Sequence, residues 1–265
     1  MDSRLESTAD TIAGAETIDL QEGNPNGVLL LHGFGDTPQT LRLLASALHA
    51  AGYDVRGPLL PGHGRTVEAF AASRRHDWLE CARQELEQMR ASHAQVSIVG
   101  LSMGGALAAI LAADAKELSA LVLLAPYLEM PINYRLASAS HWLWGGIAGT
   151  RRSRNPSSIL DPAERELNLG YGVYSGRLLY ELWRLGASAK ARLGMIVTPT
   201  LLMQSRTDPR VRMEVAQRAI NALGSTEKRL VWVEGAGHII TVDYGREEVF
   251  DEIRAWLGAH MRSTT

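Results

Sequence analysis

The sequence predicts an α/β protein built on a mostly parallel β-sheet that helices cover on both faces. Short apolar runs without polar alternation recur along the chain, and segments of helical periodicity separate them. The expected strands are Gly27–Leu31, Tyr53–Arg56, Val96–Val99, Ala120–Ala125, Thr200–Gln204 and Arg229–Val233, with Glu16–Leu20 as a weaker edge strand. A sheet of about seven strands fits one large domain in a chain of 265 residues.

The helices between these strands carry their own start and stop signals. Thr37 followed by Pro38 predicts an N-cap and a first helical turn, and Gly52 is expected to end that helix. Asp77 is the expected N-cap of a helix over Trp78–Arg90. The last helix shows an apolar stripe at helical spacing, made of Val249, Phe250, Ile253, Trp256 and Leu257.

The alternation of strands and helices stops between residues 126 and 198. This stretch holds three tryptophans and five of the seven tyrosines, and it starts directly after a predicted strand, where ligands of open α/β sheets bind. We therefore expect a core of residues 1–126 and 196–265 and a small helical cap of residues 127–195. Its expected substrate-binding residues are Tyr127, Tyr134, Trp142 and Trp144, unless these aromatic side chains only hold the cap together.

Composition excludes several classes of function. The net charge of −2, with both signs mixed along the chain, is not that of a nucleic-acid-binding protein. No run approaches 18 apolar residues, and the N-terminus does not resemble a signal peptide, so we expect a cytoplasmic protein without stable membrane insertion. The histidines lack metal-binding spacing, and we expect neither a metal nor a cofactor. The oligomeric state stays open.

Residues 100–104 read Gly-Leu-Ser-Met-Gly and follow a predicted strand, immediately before an alanine-rich helix. A G-x-S-x-G motif at such a strand-to-helix turn exposes the serine hydroxyl at the edge of the sheet. The turn is too sharp for side chains at Gly100 and Gly104. Ser102 is therefore the candidate nucleophile.

A serine hydroxyl needs a base that takes its proton and an acid that orients the base. In this fold the three residues occur in the order serine, acid, histidine. His238 stands in a glycine-containing loop after the strand that ends at Val233, and Asp208 follows the strand that ends at Gln204. Asp243 is too close to His238 in sequence to serve as the acid, so we expect Asp208 and His238 to complete the catalytic set.

The negative charge that forms on an acyl oxygen needs fixed hydrogen-bond donors. One expected donor is the backbone N–H of Met103, at the start of the helix after Ser102. The second is the backbone N–H of Phe34, in the loop His32-Gly33-Phe34-Gly35 after the first central strand. The Phe34 side chain is then expected to face the acyl group of the substrate.

Several motifs resemble those of α/β-hydrolases, specifically the small bacterial carboxylesterases and monoacylglycerol lipases. They are LLHGFGDTP (30–38), AGYDVRGPLLPGHG (51–64), HDW (76–78), GLSMGG (100–105), STEK (225–228) and GHIITVDY (237–244), together with the Asp208 loop. The resemblance runs nearly from end to end, except for the cap. It implies the α/β-hydrolase fold, with Ser102 as nucleophile, Asp208 as acid, His238 as base, and oxyanion donors at Phe34 and Met103.

The leading hypothesis is a serine ester hydrolase acting on short-to-medium-chain carboxylic esters or monoacylglycerols, with a small-molecule ester as its partner. Within the same fold, an acyltransferase or a cofactor-free perhydrolase uses the same residues. A ligand receptor that keeps the fold without turnover is the alternative from another class. Dehalogenases and epoxide hydrolases carry an aspartate at the motif position, so Ser102 argues against them.

Overall fold

The computed structural model describes residues 11–115, 117–140, 151–152 and 158–261. The strands in these ranges are β1 (Ile18–Leu20), β2 (Asn26–Leu31), β3 (Asp54–Gly57), β4 (Gln95–Leu101), β5 (Leu121–Leu124), β6 (Arg151–Arg152), β7 (Val173–Tyr174), β8 (Thr200–Ser205) and β9 (Lys228–Val233). The helices are α1 (Arg42–Ala50), α2 (Val67–Ala72), α3 (Arg75–Ser92), α4 (Met103–Asp114), α5 (Ile132–Ala139), α6 (Pro162–Leu167), α7 (Gly176–Arg192), α8 (Met213–Ala222) and α9 (Arg246–His260).

Seven strands form one sheet in the order β1–β3–β2–β4–β5–β8–β9. The pair β1–β3 is antiparallel, and the other neighbouring strands are parallel. The prediction of a mostly parallel sheet of about seven strands is confirmed. The chain reverses its direction of winding at β2 and β4, so the loops after these two strands meet at the carboxyl edge of the sheet.

The central strands carry runs of consecutive apolar residues because both faces of the sheet are buried. In β2, Val28 and Leu30 pack into a cluster with α1 and α9, whereas Leu29 and Leu31 pack into a second cluster with α3 and α4. All four side chains are fully buried. The five apolar residues expected on the last helix are buried as well. They belong to the same cluster as Val28 and Leu30.

The described parts of residues 127–195 contain the helices α5, α6 and α7. They also contain the short antiparallel pair β6–β7, which the sequence pattern did not predict. Helix α7 packs against α4, and Leu178, Leu182 and Leu185 belong to the same core cluster as α3 and α4. The second half of this region therefore contributes to the main core. The division into a core and a cap stays a prediction.

Two helix starts differ from the expected ones. Helix α3 begins at Arg75, so Asp77 lies within the first turn and is not the N-cap. The carboxylate of Glu181 on α7 accepts hydrogen bonds from the backbone N–H (3.4 Å) and the guanidinium (2.5 Å) of Arg75, and this tertiary contact anchors the first turn. Thr37 precedes a 3-10 turn, Pro38–Leu41, and its side chain makes no capping hydrogen bond. Helix α1 starts after that turn.

Candidate active site

Ser102 lies in a tight turn between β4 and α4. Its backbone has φ 54° and ψ −111°, a conformation that is costly for a residue with a side chain. A Cβ atom on Gly100 would lie 2.3 Å from the carbonyl oxygen of Gly104, and one on Gly104 would lie 2.0 Å from the carbonyl oxygen of Leu31. Both positions of the motif therefore need glycine, as the sequence predicted.

A continuous chain of hydrogen bonds joins three residues that are far apart in sequence. The Nε2 atom of His238 lies 2.8 Å from the Oγ atom of Ser102. Its Nδ1 atom lies 2.7 Å from the Oδ2 atom of Asp208. The aspartate accepts from Nδ1–H, which leaves Nε2 as the acceptor for the serine hydroxyl. The side chain of Asp208 is fully buried and that of His238 nearly so.

The loops that carry Asp208 and His238 are tied together by one carbonyl oxygen. The backbone oxygen of Ala236 accepts hydrogen bonds from the hydroxyls of Ser205 (2.5 Å) and Thr207 (2.8 Å). The ends of the neighbouring strands β8 and β9 are held side by side in this way. Asp208 and His238 meet as a result, although 29 residues separate them along the chain.

Several donors stabilise the ionised form of Asp208. Burial alone would raise its pKa, but the charge of His238 and hydrogen bonds from His238 and from the backbone N–H groups of Val211 and Arg210 lower the pKa below its usual value. The two backbone donors lie 3.0 Å (Val211) and 2.7 Å (Arg210) from Oδ1. The carboxylate is therefore charged at neutral pH and can face an imidazolium.

A buried histidine orients the loop that contains Phe34. The backbone N–H of Leu60 donates to Nε2 of His32 (3.1 Å), so the proton is on Nδ1, 2.9 Å from the carbonyl oxygen of Gly33. Burial lowers the pKa of His32 to about 4, against a hydrogen bond with Gly33 that raises it, and the ring is neutral. In a trans peptide the carbonyl and the next N–H point in opposite directions. The N–H of Phe34 therefore points away from His32.

The expected substrate-binding residues lie in different surroundings. The ring of Phe34 is partly buried and packs edge-on against Phe70 (5.0 Å between ring centroids) and Trp78 (6.0 Å). Tyr127 follows β5 directly, and its N–H donates to the carbonyl oxygen of Ser102 (3.0 Å). Tyr134, on α5, is half exposed. Trp142 and Trp144 lie outside the described residues, so their role stays a prediction.

Burial raises the pKa of Tyr127 to about 12; the charge of Arg210 opposes that rise, and Tyr134 adds to it. The phenol of Tyr127 is therefore neutral throughout the working range of pH. Of the two proposed cap residues that the structure describes, Tyr127 and Tyr134, Tyr127 is the one whose backbone is hydrogen-bonded to Ser102. The sequence already indicated that Tyr127 lies near the site, because it follows a predicted strand at the edge of the sheet where ligands bind.

A second carboxyl group, Asp36, lies beside the site and was missed by the sequence analysis. Both Asp36 and Ser102 lie against Gly33. A Cβ atom added to Gly33 would be 3.0 Å from Oδ2 of Asp36 and 3.6 Å from the Cβ atom of Ser102. Burial raises the pKa of Asp36 to about 6, although the charges of His238 and Arg210 and a hydrogen bond from the Asn168 side chain oppose the rise. A single aspartate in a glycine-containing loop gives no sequence signal of this kind, because Asn168 and Arg210 are distant in the chain.

Two findings concern residues 11–115, 117–140, 151–152 and 158–261, which the structure describes. In those ranges, no three His, Cys, Asp or Glu side chains are grouped as a metal ion would require. The helices of the same ranges include none with the length and apolar character needed to cross a bilayer.

The fold and this site define an α/β-hydrolase. A family model described as serine aminopeptidase, S33, matches residues 24–244, and the chain belongs to this family. The chain is 31% identical over 249 residues to a thermostable monoacylglycerol lipase of Bacillus sp. (strain H-257), covering 94% of this chain and 96% of that protein. It is 26% identical over 238 residues to a carboxylesterase of Bacillus subtilis (strain 168), covering 89% of this chain and 94% of the relative.

Solved structures show the same fold. One from a study of LipS and LipT, two metagenome-derived lipolytic enzymes, has a TM-score of 0.86 and 29% identity, covering 94% of this chain and all of that chain. A second structure, of the monoacylglycerol lipase of Paleococcus ferrophilus, has a TM-score of 0.79 and 21% identity, covering 92% of this chain and 98% of that chain. At this level of identity the similarity supports the fold only.

We expect Gly104→Ala to destabilise the protein strongly, because the added Cβ would overlap the carbonyl oxygen of Leu31 at 2.0 Å. Separating β2 from α4 should lower the free energy of unfolding by about 3 kcal/mol or more. The matched control is Gly258→Ala in α9, where the nearest atom lies 4.0 Å from the new Cβ. That change should stabilise by up to about 1 kcal/mol. Equal stability of the two variants in urea unfolding would contradict the described contact.

We expect Asp36→Asn to stabilise the protein at pH 8 and to have little effect at pH 4. The pKa of Asp36 is about 6 in the folded protein and 3.8 ordinarily. The folded protein therefore holds the proton more tightly than the unfolded chain, and stability is lost as the pH rises from 4 to 6. The loss is at most about 3 kcal/mol, and partial exposure of the side chain reduces it. Thermal unfolding at the two pH values measures the difference. The same shift at both would show that the Asp36 carboxyl is not perturbed.

Proposed function

We propose that this protein is a serine ester hydrolase that cleaves carboxylic esters through an acyl-enzyme on Ser102. The chain of hydrogen bonds from Ser102 through His238 to Asp208, with distances of 2.8 Å and 2.7 Å, carries the proposal. A hydroxyl, an imidazole and a buried carboxylate in this order can activate the serine at neutral pH. The Bacillus relatives named above support esters as the substrate class.

In the first half of the reaction the Oγ atom of Ser102 attacks the ester carbonyl carbon, and Nε2 of His238 takes the hydroxyl proton. The imidazolium that forms is stabilised by the carboxylate of Asp208 at Nδ1. When the tetrahedral intermediate collapses, the bond to the leaving alcohol breaks and His238 returns the proton to the alcohol oxygen. The acyl group remains on Ser102.

In the second half a water molecule replaces the alcohol. His238 takes one proton from the water as the water oxygen attacks the acyl carbon. The second tetrahedral intermediate then collapses, the bond to Oγ breaks, and the proton returns to Ser102. The carboxylic acid leaves, and the enzyme is restored.

The oxyanion in both halves is assigned to the backbone N–H groups of Phe34 and Met103. Met103 is the first residue of α4, so its N–H has no partner within the helix and lies at the positive end of the helix dipole. The hydrogen bond from His32 to the carbonyl of Gly33 supports the second assignment, because it fixes the peptide that carries the Phe34 N–H. Two fixed donors stabilise the charge that appears only in the transition state.

The natural esters are proposed to have short to medium acyl chains or a monoacylglycerol structure. Phe34 packs on Phe70 and Trp78 and offers an apolar surface. It follows Gly33, where an added Cβ would lie 3.6 Å from the Cβ atom of Ser102. Asp36 and Arg210 give the surroundings of His238 a polar character. An ester with an apolar acyl group and a hydroxyl-bearing alcohol would match both surfaces.

We expect Ser102→Ala to abolish the hydrolysis of p-nitrophenyl butyrate and of a C8 monoacylglycerol while the protein stays folded. The loss in kcat should be on the order of 10⁴ or more, because the Ser102 hydroxyl is the group that His238 activates in the proposed mechanism. A fluorophosphonate should label the unmodified protein at Ser102, as read by peptide mass spectrometry, and leave the variant unlabelled. Because the family is described as aminopeptidases, alanine p-nitroanilide is included, and its turnover should be far below that of the esters.

Circular dichroism and the thermal midpoint of Ser102→Ala serve as the control for folding. Near-normal ester turnover by the variant, or labelling of a different serine, would remove the assignment of Ser102. Turnover of the anilide above that of both esters would instead make the protein a peptidase.

A further inference from the structure

Gln204, the fifth residue of β8, contacts the carboxylate of Asp208. Its side chain is completely buried. The Nε2 atom lies 2.8 Å from Oδ2 of Asp208 and 3.1 Å from the carbonyl oxygen of Val211, with a longer contact of 3.4 Å to the carbonyl oxygen of Ser205. The amide nitrogen therefore joins the end of the strand to the loop that carries Asp208.

The other end of the same amide is left unsatisfied. The Oε1 atom of Gln204 is buried and has no hydrogen-bond partner in the ranges that the structure describes. A buried acceptor without a partner destabilises a fold, and a methionine of similar length would fill the space without that cost. The reverse orientation of the amide would put Oε1 against the negative oxygen of Asp208. The contact with Asp208 thus explains both the residue type and its orientation.

The two oxygens of Asp208 are held in different ways. Oδ1 accepts from the backbone N–H groups of Arg210 and Val211, whereas Oδ2 accepts from Nδ1 of His238 at 2.7 Å and from Gln204. The backbone donors fix one oxygen and still allow the carboxylate plane to twist. Gln204 is the donor that holds the second oxygen independently of the histidine.

We propose that Gln204 is a positioning residue that keeps Oδ2 of Asp208 opposite Nδ1 of His238 while His238 carries the serine proton. This inference rests on the proposed function, in which Asp208 stabilises the imidazolium. The hydrogen bonds that the Gln204 side chain makes in the described residues go to Ser205, Asp208 and Val211, and none goes to Ser102. Its effect is therefore expected on kcat, through Asp208, and not on substrate binding.

The experiment is a double-mutant cycle of Gln204→Met and Asp208→Ala, with kcat and KM measured on p-nitrophenyl butyrate. Gln204→Met alone should lower kcat about tenfold and change KM less than about twofold. The acid limb of its pH profile should move to lower pH, because the imidazolium loses part of its carboxylate partner. In the Asp208→Ala background the same change should cost less than about twofold, since residues that act through one another are not additive.

Thr198→Val is the matched control, because the hydroxyl of Thr198 is another buried polar atom without a partner in the described residues, just before β8. It should leave kcat, KM and the pH profile unchanged. An equal loss from Gln204→Met in both backgrounds, or a normal kcat, would overturn the positioning role. A loss of less than about tenfold from Asp208→Ala alone would overturn the assigned role of Asp208 and this inference with it.

If Gln204→Met does not fold, the kcat of Gln204→Glu as a function of pH tests the positioning role of Gln204. A protonated carboxyl can donate to Oδ2 of Asp208 as the amide does, whereas an ionised one repels it. The ratio of its kcat to that of the unmodified protein should be near one at the acid end of the profile and should fall at least about tenfold as the introduced group ionises. A ratio far below one even at the acid end of the profile, where the introduced carboxyl is protonated and can donate, would overturn the proposal.

Discussion

The site depends on the close approach of α4 to the end of β2. Gly104 lies so near the carbonyl oxygen of Leu31 that a Cβ would reach within 2.0 Å of it. This contact sets the strained turn at Ser102, the position of the first N–H of α4, and the start of the loop His32–Asp36 after β2. The proposed nucleophile and the candidate oxyanion donors therefore all lie next to one packing contact.

The other half of the site depends on polar contacts between loops. Asp243 is fully buried, and its carboxylate accepts from the backbone N–H groups of Gly237 (2.7 Å), Leu160 (2.8 Å) and Asp161 (2.9 Å). The N–H of His238 in turn donates to the carbonyl oxygen of Ser158 at 2.8 Å. The loop that carries the proposed base is thus bound to residues 158–161, near the middle of the region expected to form the cap.

The sequence predicted the features that depend on neighbours in the chain. Local glycines predicted the tight turn at Ser102, and apolar runs predicted the central strands. The ends of two predicted strands indicated where Asp208 and His238 lie. The N-cap at Asp77 was wrong because Glu181, more than a hundred residues away, anchors the helix one turn earlier. Asp36 and Asp243 contact residues that are distant in the chain, whereas the main partners of Gln204 lie in the loop that follows β8. No local sequence pattern distinguishes these three residues from ordinary polar residues.

A crystal structure of the protein inactivated by an alkyl fluorophosphonate would test whether Ser102 is the nucleophile and whether the backbone N–H groups of Phe34 and Met103 bind the oxyanion. The tetrahedral phosphorus stands in for the attacked ester carbon, and its oxygen stands in for the oxyanion. We predict a covalent bond to Oγ of Ser102 and a phosphonyl oxygen about 2.7–3.1 Å from the backbone nitrogens of both Phe34 and Met103. The adduct could instead form on Ser102 with a phosphonyl oxygen that contacts neither nitrogen. That result would contradict the assigned oxyanion site and the role given to the contact between Gly104 and Leu31 in forming it.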